Sequence, residues 1–543
     1  MTTSTTSYEP CLVQKDRILP QKPRGLESVI PLSLLDATTA NFGLTSAIWL
    51  LERPAISLAS TTLHNHLRAA FRKTLNAYPQ WCGFLKSILG VDGDDLPQET
   101  SSFPPHAKRY GRVYVHYGSA EDPGVEFFQT TSVATADGLY SSDSAERRPI
   151  WNRQGCSARL AQFVPPTILV NPLQPNEKNK DGLYKPIMAV QCTQLACGGL
   201  VLAAKIAHPL ADITALSRFV RDWADVSRAM LVEAPLPVPS PVFEPLRLDN
   251  CAAGNISADD ADPEILEVAL ALPLHRYDWW ARPAQPPSPF PSHLPMAGKP
   301  LPWAEWDTKA AVDQYTVHFS QKQIDYLWRV AMEVDSGGSS RLEISKHDAL
   351  LAHIWSCVVR ARGLQEDAGP VHCDLVLGTR PAFQLGNSFI GSPTMMLNIE
   401  MTASHVASGA ALGAIAHQIR ETIATVNNAQ QLGAHLHSVA YEKSPQRIWQ
   451  GFLGQRHIMV TSWARAGIYD IDFGLGSRIR YADGVVPCMD GCILVVDGPP
   501  TDSGNCSNTA KKIWYDDGVD VTLQLRSEDM AQLLQDPLLL QQM

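Results

Sequence analysis

The chain has 543 residues, 45% of them apolar and 18% charged, and 55 acidic side chains outnumber 45 basic ones for a formal net charge of −10. It is long enough to hold more than one hydrophobic core and too apolar to be disordered. An acidic balance with no extended block of one sign argues against nucleic acid as a partner.

Residues 1–7 are polar and lack the basic and apolar stretches of a secretory signal, and the 11 cysteines are scattered without a CxxC pair. A cytoplasmic setting with reduced thiols and no bound metal is the expectation. The first clear period lies at 63–75, where Leu63, Leu67, Phe71 and Leu75 share a helical face that Tyr78-Pro79 brings to an end. Residues 187–207 are the most apolar stretch. Gln191, Thr193, Gln194 and Lys205 interrupt it, which suits buried strand and not a membrane span. His208-Pro209-Leu210-Ala211-Asp212 follows, and then a helix with Ile213, Leu216, Val220 and Trp223 on its apolar face.

Proline marks the middle of the chain, with five between Pro235 and Pro245 and eight between Ala281 and Pro302. The chain therefore divides into 1–232, a crossover linker 233–312, and 313–543. Within the linker, His275-Arg276-Tyr277-Asp278-Trp279-Trp280 is expected to pack on a domain. Residues 345–362 read as a helix in which Ser345 and Asp348 stand in capping-box relation. Strand-like runs at 188–190, 200–206, 460–463 and 519–525 alternate with the helices, which predicts an α/β chain.

His208 stands where a strand turns into a helix, a common ligand position in α/β sheets. An imidazole of pKa about 6.5 can take the proton that a hydroxyl loses on attacking a carbonyl. Among 16 histidines about one HxxxD pair arises by chance, so a satisfied core histidine is an equal alternative on spacing alone. Other chemistries lack their motifs. Gly386-Asn387-Ser388-Phe389-Ile390-Gly391 has the wrong spacing for a nucleophile elbow, there is no Walker loop, and 474–479 lacks the third glycine of a dinucleotide site.

The segment 208–212 resembles the HxxxD signature of the BAHD acyltransferases. Val190-Gln191-Cys192-Thr193 and Cys197-Gly198-Gly199-Leu200 resemble what precedes it there, and Asp472-Phe473-Gly474-Leu475-Gly476 is similar to that family's DFGWG. Residues 31–36, 75–79, 345–355 and Gly378-Thr379-Arg380 also resemble family segments in the right order, so the resemblance spans nearly the whole chain. It implies a two-domain fold like chloramphenicol acetyltransferase, each domain a mixed β-sheet flanked by helices, with an active-site channel at the interface. His208 would be the general base for transfer of an acyl group from acyl-CoA, a co-substrate, to a small-molecule acceptor, with no acyl-enzyme, no permanent cofactor and no metal. Asp212 would pair with Arg380 as scaffold, and Asp472, Gly474 and Gly476 would shape a structural loop.

Leu475 departs from the family's tryptophan, and leucine cannot donate to an oxyanion. Thr45, Ser462 and Leu475 are the oxyanion or pocket candidates. Ala207 before the histidine separates the chain from condensation domains, and Ile213 replaces a usual glycine. The proline-rich linker and an apparent insertion at 92–185 make it similar to fungal members, including the trichothecene acetyltransferases, and a monomer acting on a hydroxylated secondary metabolite is the expectation. The alternatives are N-acylation, a carrier-protein donor, or a non-acylating member that binds or cyclises a natural product.

Overall fold

The apolar stretch 187–207 folds as an antiparallel hairpin of Met188–Leu195 and Leu200–Ala207. Both strands are buried along almost their whole length, which is why the run is apolar without alternation. The computed structural model describes residues 8–21, 27–41, 43–56, 59–90, 96–278, 294–333, 342–500 and 513–540. Among them no helix is long and apolar enough to cross a membrane.

Among the described residues, six strands form a mixed sheet around this hairpin, in the order Cys11–Ile18, Val125–Ser132, Met188–Leu195, Leu200–Ala207, Leu44–Leu51 and Ile479–Gly484. A second mixed sheet runs Thr394–Thr402, Pro370–Gly378, His457–Ser462, Cys492–Asp497, Val519–Arg526, Val312–Phe319 and Ile150–Asn152. The two halves exchange strands. Ile479–Gly484 pairs with Leu44–Leu51, and Ile150–Asn152 pairs with Val312–Phe319. Arg153, fully buried, ties the two exchanged segments together through Tyr481 Oη at 2.6 Å and an ion pair with Asp483. Sheet membership therefore departs from the ranges 1–232 and 313–543 at these two strands, because proline content reports where the chain crosses over and not which sheet a short strand joins.

Residues 92–185 are not a mere insertion. They supply Val125–Ser132, an inner strand of the first sheet, and Val113–Tyr117 of a small sheet beside it. Val125–Ser132 is buried on both faces, so it shows no period-2 signal. The linker likewise packs: Leu248 and Asp249 are buried, and Asp278 makes a buried ion pair with Arg447. Trp279 and Trp280 lie outside the described residues.

Helix Ser60–Thr74 lies against helix Ile213–Leu231 and buries Leu63, Leu67 and Phe71, with the Phe71 and Trp223 rings 5.1 Å apart. Each such side chain contributes about 1.5–3 kcal/mol. In the other half, helix Lys346–Ala361 begins with the Ser345–Asp348 capping box and is buried along most of its length.

Candidate active site

Strand Leu200–Ala207 ends in one 3₁₀ turn, His208–Leu210, before the helix begins at Ile213. Proline in that turn prevents the strand from continuing, and Asp212 caps the helix, its carboxylate accepting from Ala215 N at 3.0 Å. The turn therefore holds His208 and Asp212 at fixed positions between the strand and the helix. His208 is half-buried. Burial lowers its pKa from the usual value, and the charge of Asp212 opposes the shift without cancelling it. The imidazole is thus neutral at neutral pH and able to accept a proton.

Asp212 turns from the histidine to Arg380, which reaches it with both terminal nitrogens, Nη2 at 2.9 Å from Oδ1 and Nη1 on Oδ2. Both residues are buried. Arg380 also donates to Phe389 O and Gly391 O at 3.3 Å each, and Asp212 N donates to Gly391 O at 3.1 Å. The bidentate pair thereby fixes the backbone of 389–391 against the start of the helix.

The segment that the pair holds carries a residue the sequence reading did not single out. Ser392 Oγ lies 2.8 Å from His208 Nδ1, and Ser392 N donates to Asp36 Oδ1 at 2.5 Å. Asp36 is buried and also accepts from Ser33 N at 3.1 Å and Ser33 Oγ at 2.7 Å. Burial nevertheless raises its pKa to about 7, against the pull of those hydrogen bonds. Residues 386–391, which fail as a nucleophile elbow, lead into the serine that meets the histidine. Contacts spanning 184 and 356 residues leave no local signal in sequence.

Thr45 lies near the same strand end, opposite Ile206, but its hydroxyl donates to Ala211 O at 2.6 Å. Its single proton is spent there, so it braces the turn and has none to offer an oxyanion. Ser462 ends strand His457–Ser462 and meets His347 Nε2 at 3.0 Å. Strand register puts it at the same end of the second sheet as Gly378 and Arg380. Burial holds His347, also unnoticed in the sequence, down at about 4.

Leu475, an oxyanion or pocket candidate by sequence, lies in neither place. The loop Asp472–Gly476 packs at the C-terminal end of helix Ile213–Leu231: Ser227 Oγ donates to Phe473 O at 2.9 Å, and Arg228 lies beside Asp472. Leu475 is buried in the core of the first sheet, and its carbonyl accepts from Ala55 N at 3.0 Å. From Asp212 to Arg228 the helix rises about 24 Å at ~1.5 Å per residue, too far for residue 475 to touch chemistry at His208. Gly474 and Gly476 have φ of 77° and 65°, and a Cβ on either would come within 2.9 Å of Arg228 or Ala55. Asp472 Oδ1 accepts from Gly474 N at 2.8 Å, closing the turn.

The sequence pattern of the Transferase family matches residues 158–539. The chain is similar to the acyltransferase AFT15-1 of Alternaria alternata, 24% identical over 96% of each chain, and to the acyltransferase abl6 of Leptosphaeria maculans, 21% identical over 97% of this chain and 98% of that one. Its fold matches that of F. graminearum TRI101 complexed with coenzyme A and deoxynivalenol, with a TM-score of 0.61 at 16% identity, covering 94% of this chain and 97% of that one.

Proposed function

The chain belongs to the Transferase family, the BAHD acyltransferases, and on that premise we propose that this acyltransferase moves an acyl group from a coenzyme A thioester to a hydroxyl of a secondary metabolite, with His208 as general base. The observation that carries the reading is the hold on His208 from both halves of the chain. Ser392 fixes Nδ1, and Asp212 with Arg380 fixes the turn beneath it. With Nδ1–H donating to Ser392 Oγ, Nε2 keeps its lone pair for the acceptor.

The acceptor proton passes to Nε2 as its oxygen bonds the thioester carbonyl carbon, and the carbonyl electrons move onto the oxygen. Collapse of that intermediate breaks the C–S bond, and the imidazolium returns the proton to the departing thiolate. No acyl-enzyme forms. Asp212 is scaffold, as are Asp472, Gly474 and Gly476. Ser462 is the remaining oxyanion candidate: if His347 Nε2–H donates to its oxygen, its own proton is free for the developing charge. A coenzyme A donor is supported by the ligand of the similar TRI101 structure, and acetyl-CoA is the first donor to try.

The test is free-thiol release from a panel of acyl-CoAs with hydroxylated acceptors and, as a second arm, amines. His208→Ala should lower turnover by about 10²–10⁴-fold while leaving the unfolding midpoint close to wild type. Equal thiol release by the two proteins would remove His208 from the mechanism.

A further inference from the structure

Three histidines meet at the other end of strand Pro370–Gly378 from Arg380. His372 on that strand and His457 on the parallel neighbour are register partners, so their side chains emerge side by side, with rings stacked 4.3 Å apart. His275 arrives from the crossover segment and stands 4.9 Å and 5.2 Å from those two rings. One ring nitrogen from each lies within 4.8 Å of the others. His208 is remote from this cluster, since His372 to Gly378 alone spans about 20 Å at ~3.3 Å per residue.

The surroundings of the rings point to a ligand. His457 Nδ1 lies 2.9 Å from Asp374 Oδ2, His372 Nδ1 lies 2.9 Å from Asn398 Oδ1, and His275 Nε2 lies 3.3 Å from Asp374 Oδ1. His372 and His457 each turn Nδ1 to a fixed oxygen and keep the opposite nitrogen for a ligand, while His275 Nε2 and Asp374 Oδ1 are buried without a hydrogen-bond partner among the described residues. Metal-binding histidines are oriented in this way, by a carboxylate or amide oxygen behind the ring. Asp374 is fully buried, two residues from His372 on the same strand face, and is itself anchored by Phe452 N at 3.0 Å. A tetrahedral ion with bonds of ~2.0–2.1 Å brings its ligand nitrogens to about 3.4 Å, so the rings of His372 and His457, stacked at 18°, must turn until their in-plane lone pairs converge.

We propose that His275, His372 and His457 bind a divalent first-row transition ion, zinc by ligand type, with Asp374 and Asn398 orienting the rings. The ion pins the crossover segment onto the second sheet and leaves a fourth position for water. Imidazole donors suit zinc, copper or nickel, and not the oxygen-seeking magnesium or calcium.

Full-length protein is stripped with a chelator, its thiols are alkylated so that exposed Cys11, Cys197 and Cys488 cannot bind metal, and zinc chloride is titrated by calorimetry. One equivalent should bind, and zinc should raise the unfolding midpoint. His275→Ala, on the half-buried crossover where folding is least at risk, should abolish both effects. Asn398→Ala should weaken binding about 10–100-fold, and Asn398→Asp should restore it. Cobalt(II) should give the intense visible bands of a tetrahedral site in wild type only. Absence of stoichiometric binding, or equal binding by wild type and His275→Ala, overturns the proposal. Binding that survives in all variants without the midpoint shift assigns the metal to surface groups and overturns it too.

Discussion

The two signature segments sit at opposite ends of one helix, and they hold it by different physics. At the N-terminal end of Ile213–Leu231, Asp212 caps the helix and pairs with Arg380, so the grip is a buried charge shared between the halves of the chain. At the C-terminal end, Asp472–Gly476 wedges under Arg228 with two residues at positive φ, and the grip is steric. Two aspartates that look equivalent in sequence therefore differ in kind: Asp212 is 7% exposed, while the side chain of Asp472 is 60% exposed. The end that does the proposed chemistry should respond to charge and pH, and the other to side-chain volume.

The largest expected effect breaks the charged end. Arg380→Ala leaves Asp212 buried and unpaired and should cost about 3–5 kcal/mol of stability. It should also lower turnover, because the 389–392 backbone that places Ser392 loses its anchor. The double variant Asp212→Leu/Arg380→Met should regain most of the stability but not the roughly 1 kcal/mol of the helix cap. Denaturant melts of the three proteins check this; additive losses in the double variant would mean that the pair is not coupled.

Next comes the pH response of the same end. Asp36, at about 7 when folded against about 3.9 unfolded, binds an extra proton in the native state between those values. Its contribution is therefore fully present below the unfolded pKa and is lost as pH rises toward 7, over a span of order 4 kcal/mol. Asp36→Asn should remove that slope from the stability difference between variant and wild type. His208 acts oppositely on rate: its lowered pKa keeps the base form available below pH 6.5, so the acid limb of kcat/KM should fall below that value.

The opposite end answers to bulk. Gly474→Ala must adopt φ near 77° and set a methyl 2.9 Å from Arg228 Cα, for a loss of about 1–3 kcal/mol. Turnover per folded molecule should change little, since the loop is a helix-length from His208. A variant that keeps its melting point but loses activity would place the loop in the chemistry.

What could be read from sequence follows the range of the contacts. The strand, turn and helix around His208 are local, and period, proline and cap residues mark them. Arg380 was legible only through resemblance, because nothing around it signals a partner 168 residues away. Ser392 and Asp36 were missed for the same reason, and so were the exchanged strands, Ile150–Asn152 being too short to carry a period and Ile479–Gly484 too mixed in polarity to show one. Leu475 was misplaced because a motif read in one dimension carries no helix length. The three-histidine cluster draws on residues 275, 372 and 457, whose spacing matches no local metal motif.

The smallest effect sharpens the contrast most. Asp472→Ala removes a hydrogen bond to Gly474 N and a 3.5 Å contact with Arg228 in a solvent-exposed setting. Exposed ion pairs give about 0–1 kcal/mol, and a single turn hydrogen bond has water as a ready substitute. The loss should stay near 1 kcal/mol or less, and Asp472→Asn, which keeps the acceptor, should recover most of it. Added salt should not change the recovery if the hydrogen bond carries the effect, whereas a salt-dependent loss would assign it to Arg228. A cost matching that of Arg380→Ala would show that this end is also held by charge, and the distinction between the two ends of the helix would fall.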